Sequence, residues 1–341
     1  MSNPVIHSAP RAIHAARFGI AMAVCGSDLV AAERFAAGKG WTVVEDCCKG
    51  LISAQTAADF AAATAPIFGG FVESLRAETI IGKLRTRPAM LNIRTIVGAG
   101  AAVAAFAGEG APKPLTAGAF SAVSLPPRKC TAWAIVTSEV VKASHQHAEQ
   151  IVLGELQRAV VESIDQHFID PSAAGSITAG APTITSTGSS LAQIDADLKA
   201  VLLQAGDMKA PAWVLNPSSA VYLSTLRGSG GVPAFGSISM KGGQLLGLPA
   251  IASSAVARSG SPSERAIVLV DADQVLYADD GETEISIAKS ASVQMSDTPI
   301  AGSTSLVSLW QASLIGLRVE RWLAWHRVRD SAVIVLDGVE Y

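Results

Sequence analysis

The sequence predicts an α+β fold, and three patterns carry the prediction. Apolar residues recur at helical spacing from Val141 through Ile151, Leu156, Val160 and Ile164 to Phe168, a stripe over about 30 residues. Three stretches alternate with period two as half-buried strands do: Met90 to Val97, Glu284 to Gln294 and Leu306 to Trp325. Between them, residues Leu191 to Asp280 alternate short helical and short strand patterns, as a compact α/β module does.

The elements follow in order. Asp28 is placed to cap a short helix to Ala37, which Gly38 and Gly40 would end. Gly40 to Val44 reads as a short strand, and Ser53 to Ala63 as a helix stopped by Pro66. Residues 1–65 gather no wide apolar face, so an arm that packs on something else is expected. Gly98 to Gly110 is nearly all Ala and Gly, a long loop between strands. Phe120 to Leu125 and Cys130 to Val136 read as strands. The long helix begins at Thr137-Ser138-Glu139 and ends before Asp170-Pro171; at 1.5 Å per residue it spans roughly 45 Å, a spine. Within the module, Leu191 to Leu202 and Ser219 to Leu226 are helices. Trp213 to Asn216, Gly247 to Ala252, Ala266 to Val270 and Val275 to Ala278 are strands, and Ala332 to Leu336 is the last strand.

Composition limits the function. The chain has 341 residues, 49% hydrophobic and only 16% charged. Soluble domains usually carry about 25% charge. A chain this poor in charge has difficulty covering its own surface, which points to large protein–protein contacts. A net charge of -3 gives no basic footprint for sequence-specific nucleic-acid binding. A membrane-spanning helix needs about 20 apolar residues, and Glu109 and Arg318 interrupt the two longest uncharged runs. The run Phe18 to Cys25 is too short for a secretory segment. Four cysteines without a C-x-x-C read as reduced thiols. His145 and His147, two apart on a helix, point away from each other and cannot share a metal.

No catalytic constellation survives inspection. Gly228-Ser229-Gly230 has the wrong spacing for a nucleophile elbow. Gly98-Ala99-Gly100 leads into a proline-containing loop instead of opening a helix, as a dinucleotide loop would. Asp271, Asp273, Asp279 and Asp280 offer hard-cation ligands but lack the rest of a calcium loop, so they read as solvated turn acids. Glu139, Glu149, Glu155 and Glu162 read as the polar or inter-subunit face of the long helix rather than as a carboxylate dyad. Neither a cofactor nor a metal is expected.

Five pieces in order resemble the major capsid proteins of tailed bacteriophages, the Hong Kong 97-type coat fold. They are Gly108-Glu-Gly-Ala-Pro-Lys-Pro114 with Ser138-Glu139-Val140, Gly242 to Pro249, Ile267 to Tyr277, Leu317 to Trp322 with Trp310-Gln311, and Gly338 to Tyr341. The resemblance covers about Pro66 to Tyr341. It implies an N-terminal arm over 1–65, with a remnant of a scaffolding segment as the alternative. It implies a peripheral domain over 66–190, with an extended E-loop over 84–114 and a spine helix over 137–168. An axial domain would occupy 191–284, and 285–341 would return to the peripheral domain. Arg85, Arg87, Glu109 and Lys113 become candidates for inter-subunit contact through the E-loop.

Some relatives weld their shells with Lys–Asn bonds. Lys113 stands at the lysine position, but Ala312 and Val319 stand where the Asn and the assisting Glu would be, so a non-covalent shell is expected. The implied function is a structural, non-enzymatic subunit forming pentamers and hexamers of an icosahedral head around double-stranded DNA. Implied partners are a scaffolding protein, a head protease and a portal, with DNA met non-specifically and no membrane. The implied location is the virion, after assembly in the host cytoplasm. The rival readings are an encapsulin-like compartment around a cargo protein, a metal-using α/β enzyme at Asp271 and Asp273, and a tail component.

Overall fold

The computed structural model describes residues 9–25, 28–53, 78–98, 120–139, 146–173, 175–228, 230–256, 265–296, 300 and 305–341. In chain order it begins with helices α1 (Ala9–Val24), α2 (Leu29–Gly38) and α3 (Thr42–Ser53), then the single turn α4 (Ile80–Lys83). Strands β1 (Arg87–Pro88), β2 (Arg94–Gly98), β3 (Phe120–Ser124) and β4 (Arg128–Thr137) precede the long helix α5 (Gln146–Ile169). Next come β5 (Thr183–Thr185), α6 (Leu191–Ala205), β6 (Pro211–Leu215) and α7 (Pro217–Thr225). Strands β7 (Ile238–Ser239), β8 (Gly242–Leu245), β9 (Leu248–Ala252) and β10 (Arg265–Asp271) follow. The chain closes with β11 (Val275–Ala288), β12 (Ser292–Val293), β13 (Val307–Ser308), β14 (Leu314–Arg327) and β15 (Val333–Val339).

The chain divides into two units. The first comprises 1–78, 129–161 and 281–322, the second 79–128, 162–280 and 323–341, so the division falls inside α5, β11 and β14.

In the first unit the N-terminal segment is more structured than its sequence suggests. Asp28 caps α2 as expected, accepting from the N–H groups of Val30 and Ala31 at 2.9 and 3.3 Å. The helix ends at Gly38, and Gly40 takes the left-handed φ of 70° that the turn requires. The expected strand at Gly40 to Val44 is instead the start of α3. β-Branched Thr42, Val43 and Val44 favour a strand locally, but tertiary packing overrides that preference. Val44, Cys47 and Cys48 fall three and four apart and bury one helical face beside Ala32 and Ala36 of α2. Trp41 closes this core edge-on to Phe35 at 5.7 Å, with the Arg17 guanidinium over its ring. The helix expected over Ser53 to Ala63 lies outside the described residues beyond Ser53, where α3 ends.

In the second unit a seven-stranded sheet runs β5-β15-β10-β6-β9-β8-β7. Central β10 is antiparallel to β6 and to β15, with Leu269 opposite Trp213 on one side and Ile334 on the other. The last strand, expected with the return strands after residue 285, therefore completes the sheet of the α/β module. All its residues from Val333 to Leu336 are buried, which is what a strand inside a covered sheet requires. Ile194, Leu198 and Val201 of α6 and Ala220 and Leu223 of α7 share one core with Trp213, Leu215, Ile267 and Leu269.

Three further expectations are corrected. Val275–Ala278 and Glu284–Gln294 were separate strands in sequence terms; β11 runs unbroken from Val275 to Ala288. The acids between them do not turn the chain, because Asp279 is used along the strand, accepting from the Tyr277 hydroxyl at 2.9 Å. Asp271 is no solvated turn acid. It is buried at the end of β10 and accepts from the backbone N–H groups of Lys209, Ala210 and Asp273 at 3.0 to 3.3 Å. The described part of the spine helix starts at Gln146, Thr137 belongs to β4, and 140–145 lie outside the described residues.

Candidate assembly surfaces

The segment leading to the candidate E-loop is anchored in the second unit. Thr79 caps the α4 turn, accepting from the Gly82 N–H at 3.2 Å. Asp165 of α5 reaches the same turn: it accepts from the Ile80 N–H at 2.8 Å and from the Ser253 hydroxyl at 3.3 Å. Burial pushes the Asp165 carboxyl up to about 6, while those two hydrogen bonds and nearby Lys83 act the other way. Arg85 and Arg87 follow at once and are both exposed. Arg87–Pro88 then pairs in parallel with Leu276–Tyr277, and Asn92 donates to Leu125 O at 3.0 Å. β2 and β3 pair antiparallel from Arg94 with Ser124 to Gly98 with Phe120. Under them Val97, Leu125, Leu276, Ala278 and Ala324 make a small core. Residues 84–98 are thus bound to the body of the unit. Glu109 and Lys113 lie outside the described residues, so of the four candidates the structure places only Arg85 and Arg87.

The stretches of β4 and β14 that lie in the first unit carry a surface not singled out from sequence. β4 lies beside β14 at the end of the order β1-β11-β14-β4. Glu320, buried on β14, bridges Lys129 Nζ at 2.6 Å and Arg318 Nη1 at 3.2 Å. Lys129 stands over the Trp322 ring and Arg318 over the Trp133 ring, each 5.7 Å from the centroid. A Cβ at Gly316 would meet the Trp133 ring at 3.4 Å. The signal was present as alternation: Lys129, Thr131 and Trp133 share one face of β4, and Arg318, Glu320 and Trp322 one face of β14. Ala312 is exposed on the turn before β14, and Val319 is buried.

At the far edge of the second unit's sheet, exposed apolar side chains sit on turns: Val232, Met240 and Leu246. β8, between β9 and the edge strand β7, allows no side chain at Gly242, whose φ is 99° and whose Cβ would press on Ala250 O. Among the described residues no cluster of His, Cys, Asp or Glu is arranged to hold a metal ion. No described helix is long and apolar enough to cross a membrane.

Similarity to known proteins bears on what such surfaces serve. Residues 64–337 match the phage capsid family. The chain belongs to that family. A capsid polyprotein of Pseudomonas phage PAJU2 is 34% identical, over 81% of this chain and 44% of the relative. The chain therefore spans less than half the length of that curated relative. A solved chain of Gordonia phage Cozz is 18% identical with a TM-score of 0.54, covering 76% of this chain and 85% of the other. The capsid chain of an empty GTA particle is 10% identical with a TM-score of 0.56, covering 77% and 90%. At these identities the two structures speak for the fold alone. They give this phage capsid family member the α+β capsid fold that its sequence led one to expect.

Proposed function

We propose that the chain is the repeating subunit of an icosahedral phage head, a major capsid protein with a structural and not an enzymatic role. The family match across residues 64–337 carries the reading. The low charge content and the exposed apolar side chains of each unit support it, because such surface is costly in an isolated monomer. Copies would assemble as pentamers and hexamers through repeated heterologous contacts that close into rings. Residues 66–190 would serve as the peripheral domain, with the E-loop over 84–114 and the spine over 137–168. Residues 191–284, joined by β15, would serve as the axial domain. Arg85, Arg87, Glu109 and Lys113 would contact neighbouring subunits. A scaffolding protein, a head protease and a portal are the partners such a head would use. Packaged DNA would be met through backbone charge only.

Sedimentation of the purified protein, with nucleic acid measured in the fast fraction, tests this. Expected is a fast particle whose phage-derived form holds DNA; a purified particle holding one cargo protein would instead favour a compartment shell. The shell is expected to be non-covalent, since Ala312 and Val319 lack the groups for a Lys–Asn bond. Boiled particles should run on SDS gels as one band near 35 kDa. A ladder of multiples would contradict this.

A further inference from the structure

We infer that the face of β4 and β14 that carries Trp133 and Trp322 is an interface with a second copy of this chain. The inference rests on the shell-forming reading and says which surface meets a neighbour. The two faces of β14 differ. Ile315, Leu317, Val319 and Arg321 point one way and are all buried. Helix α1 lies on that side, where a Cβ at Gly19 would sit 3.3 Å from Leu317. Arg318, Glu320 and Trp322 point the other way, beside Lys129 and Trp133 of β4. On this second side Trp133 is 44% and Trp322 37% exposed; the turn before β14 reaches the same side, where Leu309 would meet a Cβ at Gly316 at 3.2 Å, and its Trp310 is 77% exposed. The protein has six tryptophans, and Trp41, Trp213 and Trp325 are buried, so the exposure is concentrated here.

Area and charge favour a protein partner, and the shell-forming reading makes that partner a second copy of this chain. The three open indoles leave roughly 240–400 Å² uncovered, given about 150–250 Å² per large aromatic side chain. That is about a third to a half of the ~800 Å² that one side of a standard interface buries. Trp and Arg are also the side chains that dominate binding energy when they become desolvated in an interface. The patch suits nucleic acid poorly. Glu320 takes up charge from both cations, which leaves little net positive field for phosphates. A DNA duplex also keeps its bases stacked and offers the indoles no partner. β4 adds a second feature, for it ends the strand order of its sheet and has a neighbour on one side only among the described residues. Edge strands of this kind are natural seats for another chain.

Hydroxyl-radical footprinting read by mass spectrometry tests the inference. Oxidation of Trp133 and Trp322 is compared between sedimented particles and unassembled subunits, with buried Trp213 as the internal reference. Expected is a fall of at least fivefold on assembly at Trp133 and Trp322, and no change at Trp213. Particles that form while both tryptophans stay equally oxidisable would overturn the inference and leave the shell reading standing. Failure of the full chain to form particles under any assembly condition would overturn both. Two variants give a second readout. Trp322→Ala should cut particle yield at least tenfold while the subunit keeps its circular dichroism. Should Trp322→Ala misfold, Trp310→Glu changes a side chain that is mostly in solvent and should also lower yield. Wild-type yield from a folded variant at either position would contradict the interface.

Discussion

Asp165 holds the turn that begins the candidate E-loop with a group whose charge depends on pH. Its carboxyl is pushed from 3.8 to about 6 by burial, so the native state binds a proton more readily than the unfolded chain. The stability it contributes is therefore complete below about pH 4 and is lost as pH rises through about 6. Asp165→Asn keeps an acceptor for the Ile80 N–H and removes the buried charge. Unassembled Asp165→Asn should be more stable than wild type at pH 7.5 by roughly 1–3 kcal/mol. The gap should close as pH falls to 4, read from urea midpoints. A gap that does not change with pH would contradict the burial argument. Asp165→Ala should be destabilised by about 1–3 kcal/mol, since the Ile80 N–H loses its partner. None of this was legible in sequence. A carboxylate one position from Ile164 in an apolar helical stripe looks the same whether it faces water or a backbone N–H. Asp271 was misread for the same reason: sequence carries its charge but not the three N–H groups that converge on it.

At the scale of elements, strong periodicity was legible and short segments were not. α6, β6, α7, β9 and β10 lie where apolar spacing placed them, because each buries a regular face in one core. α3 was missed because its first three residues favour a strand, although Val44, Cys47 and Cys48 already carried helical spacing. That packing has a chemical consequence. Burial pushes the Cys47 thiol up to about 12 and raises Cys48 as well. Both should react with a thiol reagent at pH 7.5 more than tenfold slower than free cysteine, while rapid reaction would mean that α2 and α3 do not pack. The strand next to the sheet edge gives a second prediction. Gly242→Ala places a Cβ against Ala250 O in a backbone conformation that L side chains avoid. It should cost about 2 kcal/mol or more and lower Tm by several degrees, whereas Gly38→Ala, with open space around its Cβ, should change Tm little.

Across the whole molecule, the shortage of charge now has locations. The first unit leaves three tryptophans open beside a strand edge, and the second leaves Val232, Met240 and Leu246 on turns. Composition announced that surface must be covered, but only the strand pairing shows which faces the chain covers itself. The pairing also moves β15 into the α/β module, a placement that sequence distance hid because a strand's partners can lie anywhere along the chain. A tile with apolar surface on both units should not persist as a concentrated monomer. Negative-stain electron microscopy of the purified protein tests that claim most directly. The account predicts closed isometric shells with five-fold vertices. Tubes, or a stable dispersed monomer at high concentration, would contradict it.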